Sequence, residues 1–311
     1  MTIKKVTALI VTYNRADMLE KTINLIANQD IKVNNLIIID NNSADLTEKT
    51  VNRIKTETSM EFPRIAYTKL SENVGGAGGF NLGFKIFQEQ FDDDYLWVMD
   101  DDAFPEKDAL SSLVDASKAV PDASFFASSV VSQDGLPMNV SVVDSKPTAN
   151  GYSDWYMLAA EKLIKIQTAT FVSLLIPRES IEKAGYPIGQ YFIWGDDTEY
   201  TQRLTTLVGP AYLVADSKVV HMRSNPRALD IMSETNPDRI SMYRYFYRNT
   251  LLNTAKFGSK LSLLRKILKF ESESFVALFK GGKTSWYSFR VIQTGIIMFF
   301  AYRKRKVPWT K

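Results

Sequence analysis

Three aspartates in succession, Asp100, Asp101 and Asp102, follow directly on the apolar run Tyr95-Leu96-Trp97-Val98-Met99. Adjacent like charges repel, and removing any of them from water is costly unless a cation or hydrogen bonds compensate. Hard oxygen ligands suit Mg2+ or Mn2+, and such an ion would hold an anionic substrate, a diphosphate above all. The competing reading is a solvated acidic turn running into a helix, with Pro105 and Glu106 in its first turn. A second acidic cluster, Asp196, Asp197 and Glu199, follows Trp194 and Gly195. A carboxylate crowded by others and by a tryptophan has a raised pKa, which suits a general base. The alternative is a helix N-terminus enriched in acids, with Arg203 placed to pair with Glu199 one turn on. His221 is the only histidine and stands after Val219-Val220; a neutral imidazole there either completes an Mn2+ shell or is structural. The run Gly75-Gly76-Ala77-Gly78-Gly79 offers backbone that a ligand can approach closely, with free N–H groups at a helix start. It matches neither the dinucleotide fingerprint nor the phosphate-binding loop, and a turn tightened for packing is its plainer explanation.

The elements that must position these groups alternate. Residues 6–11 form a continuous apolar run, as in a parallel strand covered on both faces. A polar turn, residues 12–17, leads into a helix carrying Met18, Leu19, Ile23 and Ile26. Leu36-Ile37-Ile38-Ile39 ends at Asp40-Asn41-Asn42-Ser43, and an amphipathic helix is expected over about residues 44–58. Ile65-Ala66-Tyr67 is a third strand, the glycine run opens a third helix, and residues 96–99 are a fourth strand. This βαβαβαβ pattern predicts an α/β fold with a mixed, mostly parallel sheet flanked by helices. Ligands of such sheets bind outside the carboxyl ends of the strands, where Asp40, the glycine run and the aspartate triplet all fall. Further on, residues 125–131 and 168–176 are expected as strands, residues 177–183 as the start of a short helix, and residues 212–214 and 219–220 as two short strands.

Composition narrows the functional class. The 311 residues are 45% hydrophobic and 12% aromatic, as in a folded globular chain, and contain no cysteine. Disulfides, thiolate zinc sites and a cysteine nucleophile are thereby excluded, in keeping with a reducing cytoplasm. No signal-peptide pattern precedes the first strand, and no apolar run reaches the roughly 18 residues of a membrane span. The net charge of +3 is unevenly distributed: residues 256–311 hold 13 lysines and arginines against two acids, Glu271 and Glu273. The first 255 residues hold 25 basic and 33 acidic residues. Such a tail points to an anionic partner.

Taken together, Val11-Thr12-Tyr13-Asn14-Arg15, Ile39-Asp40-Asn41-Asn42-Ser43, Asn73-Val74-Gly75-Gly76, Asp100-Asp101-Asp102 and Asp197-Thr198-Glu199-Tyr200 resemble the motifs of inverting family-2 glycosyltransferases of the GT-A fold. The segments fall in the family's order across residues 5–225. The block around Asn73 to Phe80 and the Trp194, Asp196-Asp197 block look most like bacterial galactofuranosyltransferases. Tyr247-Arg248-Asn249 is similar to rhamnosyltransferases, and Gly195 intervenes where the galactofuranosyl enzymes have none. The resemblance implies that Thr12, Tyr13, Arg15 and Asp40 hold the nucleotide, with Asn73, Gly75 and Gly76 lining its pocket. It further implies that Asp100 and Asp101 face the donor, that Asp102, His221 and Asp100 bind Mn2+ or Mg2+, and that Asp197 is the catalytic base. Trp194, Asp196 and Glu199 would then position acceptor or sugar. The implied donor is UDP-galactofuranose, with dTDP-rhamnose as alternative, and the implied acceptor a cell-envelope glycan, free or lipid-linked.

A GT-A catalytic domain is expected over residues 1–235 and a basic helical extension over 236–311. Within the extension, Leu261, Leu263, Leu264, Ile267 and Leu268 alternate with Lys260, Arg265, Lys266 and Lys269 as in an amphipathic helix. Residues 291–302 are apolar and are flanked by Arg290, by Arg303, Lys304, Arg305 and Lys306, and by Trp309. About a dozen residues cannot span a bilayer but suit a helix lying in its headgroup region, which places the protein at the inner face of the cell membrane. An ordinary helical subdomain or an interface between copies in a homo-oligomer is the alternative. A non-catalytic sugar-nucleotide-binding scaffold and a nucleic-acid-binding module are the competing functional classes; an acidic body and the absence of a recognition motif speak against nucleic acid.

Overall fold

The structure, a computed structural model, describes residues 4–57, 62–223, 228–279 and 284–304. Its first half alternates as expected: β1 (Val6–Thr12), α1 (Ala16–Ala27), β2 (Asn35–Asp40), α2 (Thr47–Glu57), β3 (Arg64–Lys69), α3 (Gly75–Gln90) and β4 (Tyr95–Asp100). There follow β5 (Ala103–Pro105), α4 (Ala109–Ala119), β6 (Phe125–Val131), β7 (Val142–Val143), β8 (Leu163–Thr168), β9 (Ser173–Pro177), α5 (Arg178–Ala184), a 3-10 turn at Gly189–Tyr191, α6 (Asp196–Leu207) and β10 (Ala211–His221). Three helices, α7 (Pro237–Phe257), α8 (Lys260–Phe279) and α9 (Ser285–Lys304), complete the described chain.

The strands form one sheet in the order β3-β2-β1-β4-β9-β6-β10-β8-β7, with β5 added along β10. Strands β5, β8 and β9 run against the others, so the sheet is mixed with one dominant direction. Every residue of β1 is buried. Its side chains alternate between two cores: Ala8 and Ile10 face α1 and α2 with Leu36, Ile38 and Trp97, while Leu9 and Val11 face α3 with Ile37 and Val98. That is why the strand reads as a continuous apolar run, each buried aliphatic side chain contributing roughly 1.5–3 kcal/mol. Helix α3 approaches β1 closely because Gly83 and Gly79 carry no side chain: a Cβ on Gly83 would lie 2.3 Å from Leu9, and one on Gly79 2.5 Å from Val11. Part of the glycine run therefore does serve packing.

Four sequence expectations are corrected. Pro105 ends a strand instead of opening a helix: β5 pairs with β10, and α4 begins only at Ala109. Helix α2 begins at Thr47 and not at Ala44, because the Asp45 carboxylate captures the Thr47 backbone N–H and hydroxyl. Thr58 lies outside the described residues. The apolar stretch 168–176 is two strands, since β8 ends at Thr168 to pair with β10 while β9 begins at Ser173 to pair with β4 and β6. Conversely, the two short strands expected at 212–214 and 219–220 are one, β10, irregular between Val214 and Lys218.

The last three helices share a core with the sheet body, since Ala77, Ile188 and Tyr191 pack among Ile240, Tyr247, Leu251 and Ile292. Helices α7 and α9 lie tightly together at Gly295, where a Cβ would meet the Arg244 carbonyl at 2.8 Å. No helix among the described residues is long and apolar enough to cross a membrane. The basic residues Arg305 and Lys306 and the aromatic Trp309 lie outside the described residues.

Candidate active site

A cleft of about 1000 Å3 opens beyond the carboxyl ends of β4 and β10. The aspartate triplet and the second acidic cluster, about 95 residues apart in sequence, both line it. Strand pairing explains the first convergence. Ala103 of β5 stands opposite His221 of β10, and the Met222 N–H donates to the Asp102 carbonyl at 2.8 Å. His221 Nε2 consequently lies 3.0 Å from Asp102 Oδ1 and 3.9 Å from Asp100 Oδ2. One ligand atom from each of Asp100, Asp102 and His221 falls within 4.8 Å of the others. Two carboxylates and an imidazole at this spacing fit a divalent cation such as Mn2+ or Mg2+. His221 Nδ1 is 2.9 Å from the side-chain oxygen of Asn139, which orients the ring as second partners of metal-binding histidines do.

Burial and mutual repulsion set the electrostatics of this cluster. Burial pushes Asp100 up to about 7, the charges of Asp102 and Asp101 adding to it against the pull of His221. Burial likewise pushes Asp101 up to about 6, against Arg15. Burial acts in the same sense on Asp102, but the His221 hydrogen bond and the charges of His221 and Arg15 outweigh it and hold this carboxyl below the ordinary range. Burial lowers His221, and the Asp102 hydrogen bond with the two carboxylate charges more than restores it, for a net rise.

The triplet is divided in orientation. Asp101 turns back towards β1, accepting from the Thr12 hydroxyl at 2.7 Å and from Arg15 at 3.1 Å, while its carbonyl accepts from the Thr22 hydroxyl. Arg15 also reaches Asp102 Oδ2 at 2.5 Å. Thr12, Arg15 and Asp101 thus brace the carboxylates from behind. Asp40 is fully buried, its two oxygens taken by the Ser43 N–H and the Tyr67 hydroxyl. Tyr13 is about half exposed at the β1 end, and the Asn73 side chain closes a turn onto the Gly75 N–H. None of Thr12, Tyr13, Asp40, Asn73 and Gly75 lines the cleft, whereas Arg15, Gly76, Asp100, Asp101 and Asp102 do. Gly76 has open space where a Cβ would stand.

The opposite wall is a short, contorted loop. Phe192, Trp194 and Gly195 have φ of 66°, 59° and 94°, the left-handed region that costs non-glycine residues about 1–3 kcal/mol each. The loop is held from both sides. On one side the Ala77 N–H donates to the Phe192 carbonyl at 3.1 Å, and Gly75 packs so closely that a Cβ would lie 2.0 Å from that oxygen. On the other, the buried Asn249 of α7 donates to the carbonyls of Tyr191, Ile193 and Trp194, Asn253 to that of Gly195, and Arg248 to those of Gln190 and Tyr191.

This scaffold delivers Asp196 and Asp197 at the first turn of α6, both in the cleft wall with Trp194. Burial drives Asp196 well above the usual carboxylate range, with the charges of Asp197 and, across the cleft, Asp100 adding to it. Asp197 is raised by burial as well, but the Thr198 N–H, 2.6 Å from its Oδ1, favours its charged form. Two adjacent carboxyls, both raised by burial and one of them hydrogen-bonded at its oxygen, are an arrangement suited to proton transfer with a hydroxyl.

Glu199 stands apart. It is fully buried, paired with Arg203 at 2.7 Å and with Lys256 of α7, and absent from the cleft lining. Expected to position acceptor or sugar, it is found outside the cleft lining, where its two ion pairs tie α6 to α7. No sequence pattern singles out Asn139 or Asn253. Tyr247-Arg248-Asn249 offered only a resemblance, and nothing near Asn139 signals its contact with a histidine 82 residues away.

The profile of "Glycosyl transferase family 2" matches residues 7–184. The galactofuranosyltransferase GlfT1 of Mycolicibacterium smegmatis is 26% identical over 204 residues, covering 64% of this chain. The match spans 65% of that relative's own length. Among solved structures, the mannosyltransferase PcManGT from Pyrobaculum calidifontis, in complex with GDP-Man and Mn2+, superimposes with a TM-score of 0.58 at 16% identity, covering 97% of this chain and 76% of that one. S. aureus TarS 1-349 does so with a TM-score of 0.60 at 14% identity, covering 98% and 93%. The fold shared with these structures is GT-A.

Proposed function

The chain belongs to glycosyl transferase family 2, and from that premise we propose that it is a metal-dependent, inverting enzyme that transfers galactofuranose from UDP-galactofuranose to a cell-envelope glycan. The observation that carries the reading is the single cleft in which the Asp100, Asp102 and His221 cluster faces the Asp196-Asp197 pair. Relatives support its parts: GlfT1 is by its name a galactofuranosyltransferase, and PcManGT is described with a nucleotide sugar and Mn2+.

Asp100, Asp102 and His221 would hold Mn2+ or Mg2+, which would supply positive charge for a leaving diphosphate. Arg15, with Thr12, keeps Asp101 and Asp102 in place, and Gly76 leaves room for donor against the start of α3. The nucleotide would extend from Gly76 towards the β1 and β2 ends, near Tyr13, Asp40 and Asn73. Asp197 takes the proton of the acceptor hydroxyl, whose oxygen attacks the anomeric carbon opposite the leaving group and inverts its configuration. Asp196 and Trp194 shape the acceptor side. The chain divides, in this reading, into a catalytic part over residues 1–235 and a helical part from 236 onward that supports the acceptor wall and meets the inner face of the cell membrane, where a lipid-linked acceptor would be presented.

The test is thermal unfolding of the full chain with Mn2+ against a panel of nucleoside-diphosphate sugars, followed by measured release of nucleoside diphosphate. Stabilisation by UDP-galactofuranose with release of UDP is expected. A preference for dTDP-rhamnose would move the donor assignment, and no response to any nucleotide sugar would sink the reading.

A further inference from the structure

Helix α8 carries two apolar stripes, and only one of them is used. Ile267, Phe270, Ser274 and Ala277 recur at helical spacing and face α7 and α9. Leu261, Leu264, Leu268, Phe275 and Phe279 form a second stripe about 135° around the helix, each at least half exposed. Exposed Arg265 and Lys269 are set among them. Helix α9 continues the surface with exposed Trp286, Arg290, Ile297 and Phe300.

The two acids of the pair of helices are withdrawn from it. Glu273 accepts from the Tyr247 hydroxyl at 2.6 Å, and Glu271 accepts from the Gln293 side chain at 2.6 Å. Both acids are only partly exposed, and among the described residues the exposed charged groups of α8 and α9, Arg265, Lys269 and Arg290 included, are all cationic. We infer that this face docks on the headgroup region of an anionic lipid bilayer, α8 and α9 lying in its plane.

Charge chooses this occupant over a second copy of the chain. Two such faces brought together would set Arg265, Lys269 and Arg290 against their own kind with no acid opposite, whereas an anionic bilayer neutralises the cations and takes up the leucine and aromatic side chains together. The position of the cleft agrees. Thr254, Phe257 and Gly258 line it, and α8 begins two residues later at Lys260, so the acceptor end of the cleft opens beside the docking face. Docking itself is independent of glycosyl transfer; delivery of a lipid-linked acceptor into the cleft rests on that reading.

The experiment is flotation of the full chain with vesicles of phosphatidylcholine alone or mixed with phosphatidylglycerol, at low and high salt. Wild type is expected to float with the mixed vesicles only and to be released by salt. Arg265→Gln with Lys269→Gln should weaken partitioning about 25-fold, from roughly fivefold per removed charge. Leu264→Ser with Leu268→Ser should weaken it at either salt concentration while leaving the melting temperature unchanged, since both side chains are exposed. Failure of wild type to float, or variants that float as well as wild type, would overturn the docking. So would a wild-type dimer in light scattering that the leucine variant dissociates, without vesicle binding. Flotation without any sugar transfer would uphold the docking and remove the glycosyl-transfer reading, whereas transfer to a detached glycan without flotation would do the reverse.

Discussion

The Asn249 side-chain amide donates to the Trp194 carbonyl across 2.7 Å, although the two residues are 55 positions apart. The same amide reaches two further carbonyls of the loop that sets Asp196 and Asp197 in the cleft. Replacing it with alanine takes this donor from the Ile193 and Trp194 carbonyls, leaves Tyr191 to Arg248 alone, and frees a backbone already in unfavourable conformations. Asn249→Ala is expected to cost about 2–3 kcal/mol of stability and to lower the transfer rate about 100-fold through misplacement of the acidic pair. Thermal unfolding, with kcat and donor affinity measured separately, checks this; an equal loss of donor binding would show that the loop is not the element affected.

Asp197→Asn preserves size and removes the proton acceptor. The transfer rate should fall by about 10²–10⁴-fold, the usual worth of a general base, with donor affinity close to wild type by calorimetry. Retained turnover would take the base role away from Asp197.

The cation should reverse the pH dependence of stability. In the metal-free chain Asp100 and Asp101 are pushed up to about 7 and about 6 by burial, and His221 is also raised. All three bind protons more readily folded than unfolded, so the stability they contribute is present in acid and is lost as pH rises through these values. The metal-free melting temperature should fall between about pH 5 and pH 8. Mn2+ needs charged carboxylates and a neutral imidazole, so its stabilisation should grow over the same window. His221→Ala should shift the Mn2+ titration to higher concentration. A flat metal-free profile, or an unchanged titration in the variant, would contradict the assignment.

Glu199→Gln should behave quite differently from substitutions in the cleft. Breaking a buried ion pair from one side leaves Arg203 and Lys256 without their counter-charge, a loss of about 3–5 kcal/mol. Metal and donor affinity of the folded variant should be unchanged. A variant as stable as wild type but with a raised acceptor KM would return Glu199 to the acceptor site.

The legible parts of the fold were those written in local pattern. The apolar runs of β1, β2 and β4 are continuous because both faces of these strands are covered, and the Glu199–Arg203 pair follows from helical spacing alone. The illegible parts depend on pairing between distant segments. Pro105 looks like the start of a helix until β10 arrives to make it the end of a strand, and the same pairing carries His221 to Asp102. Asp101 could not be told from its neighbours by type or spacing; only its hydrogen bonds to Thr12 and Arg15 set it apart from them. The hold of α7 on the residues 190–195 loop has no periodic signature, since it consists of asparagine amides meeting backbone carbonyls.

The Phe192 carbonyl, wedged against Gly75 and bonded to the Ala77 N–H, joins the start of α3 to the loop that Asn249 fixes from the other side. The two walls of the cleft therefore share one peptide. Substitutions made separately in the two walls will not combine as a simple sum, because each moves the support of the other. A programme that alters the sugar accepted by this cleft must vary the first turn of α3 and the Phe192 to Gly195 segment as one unit.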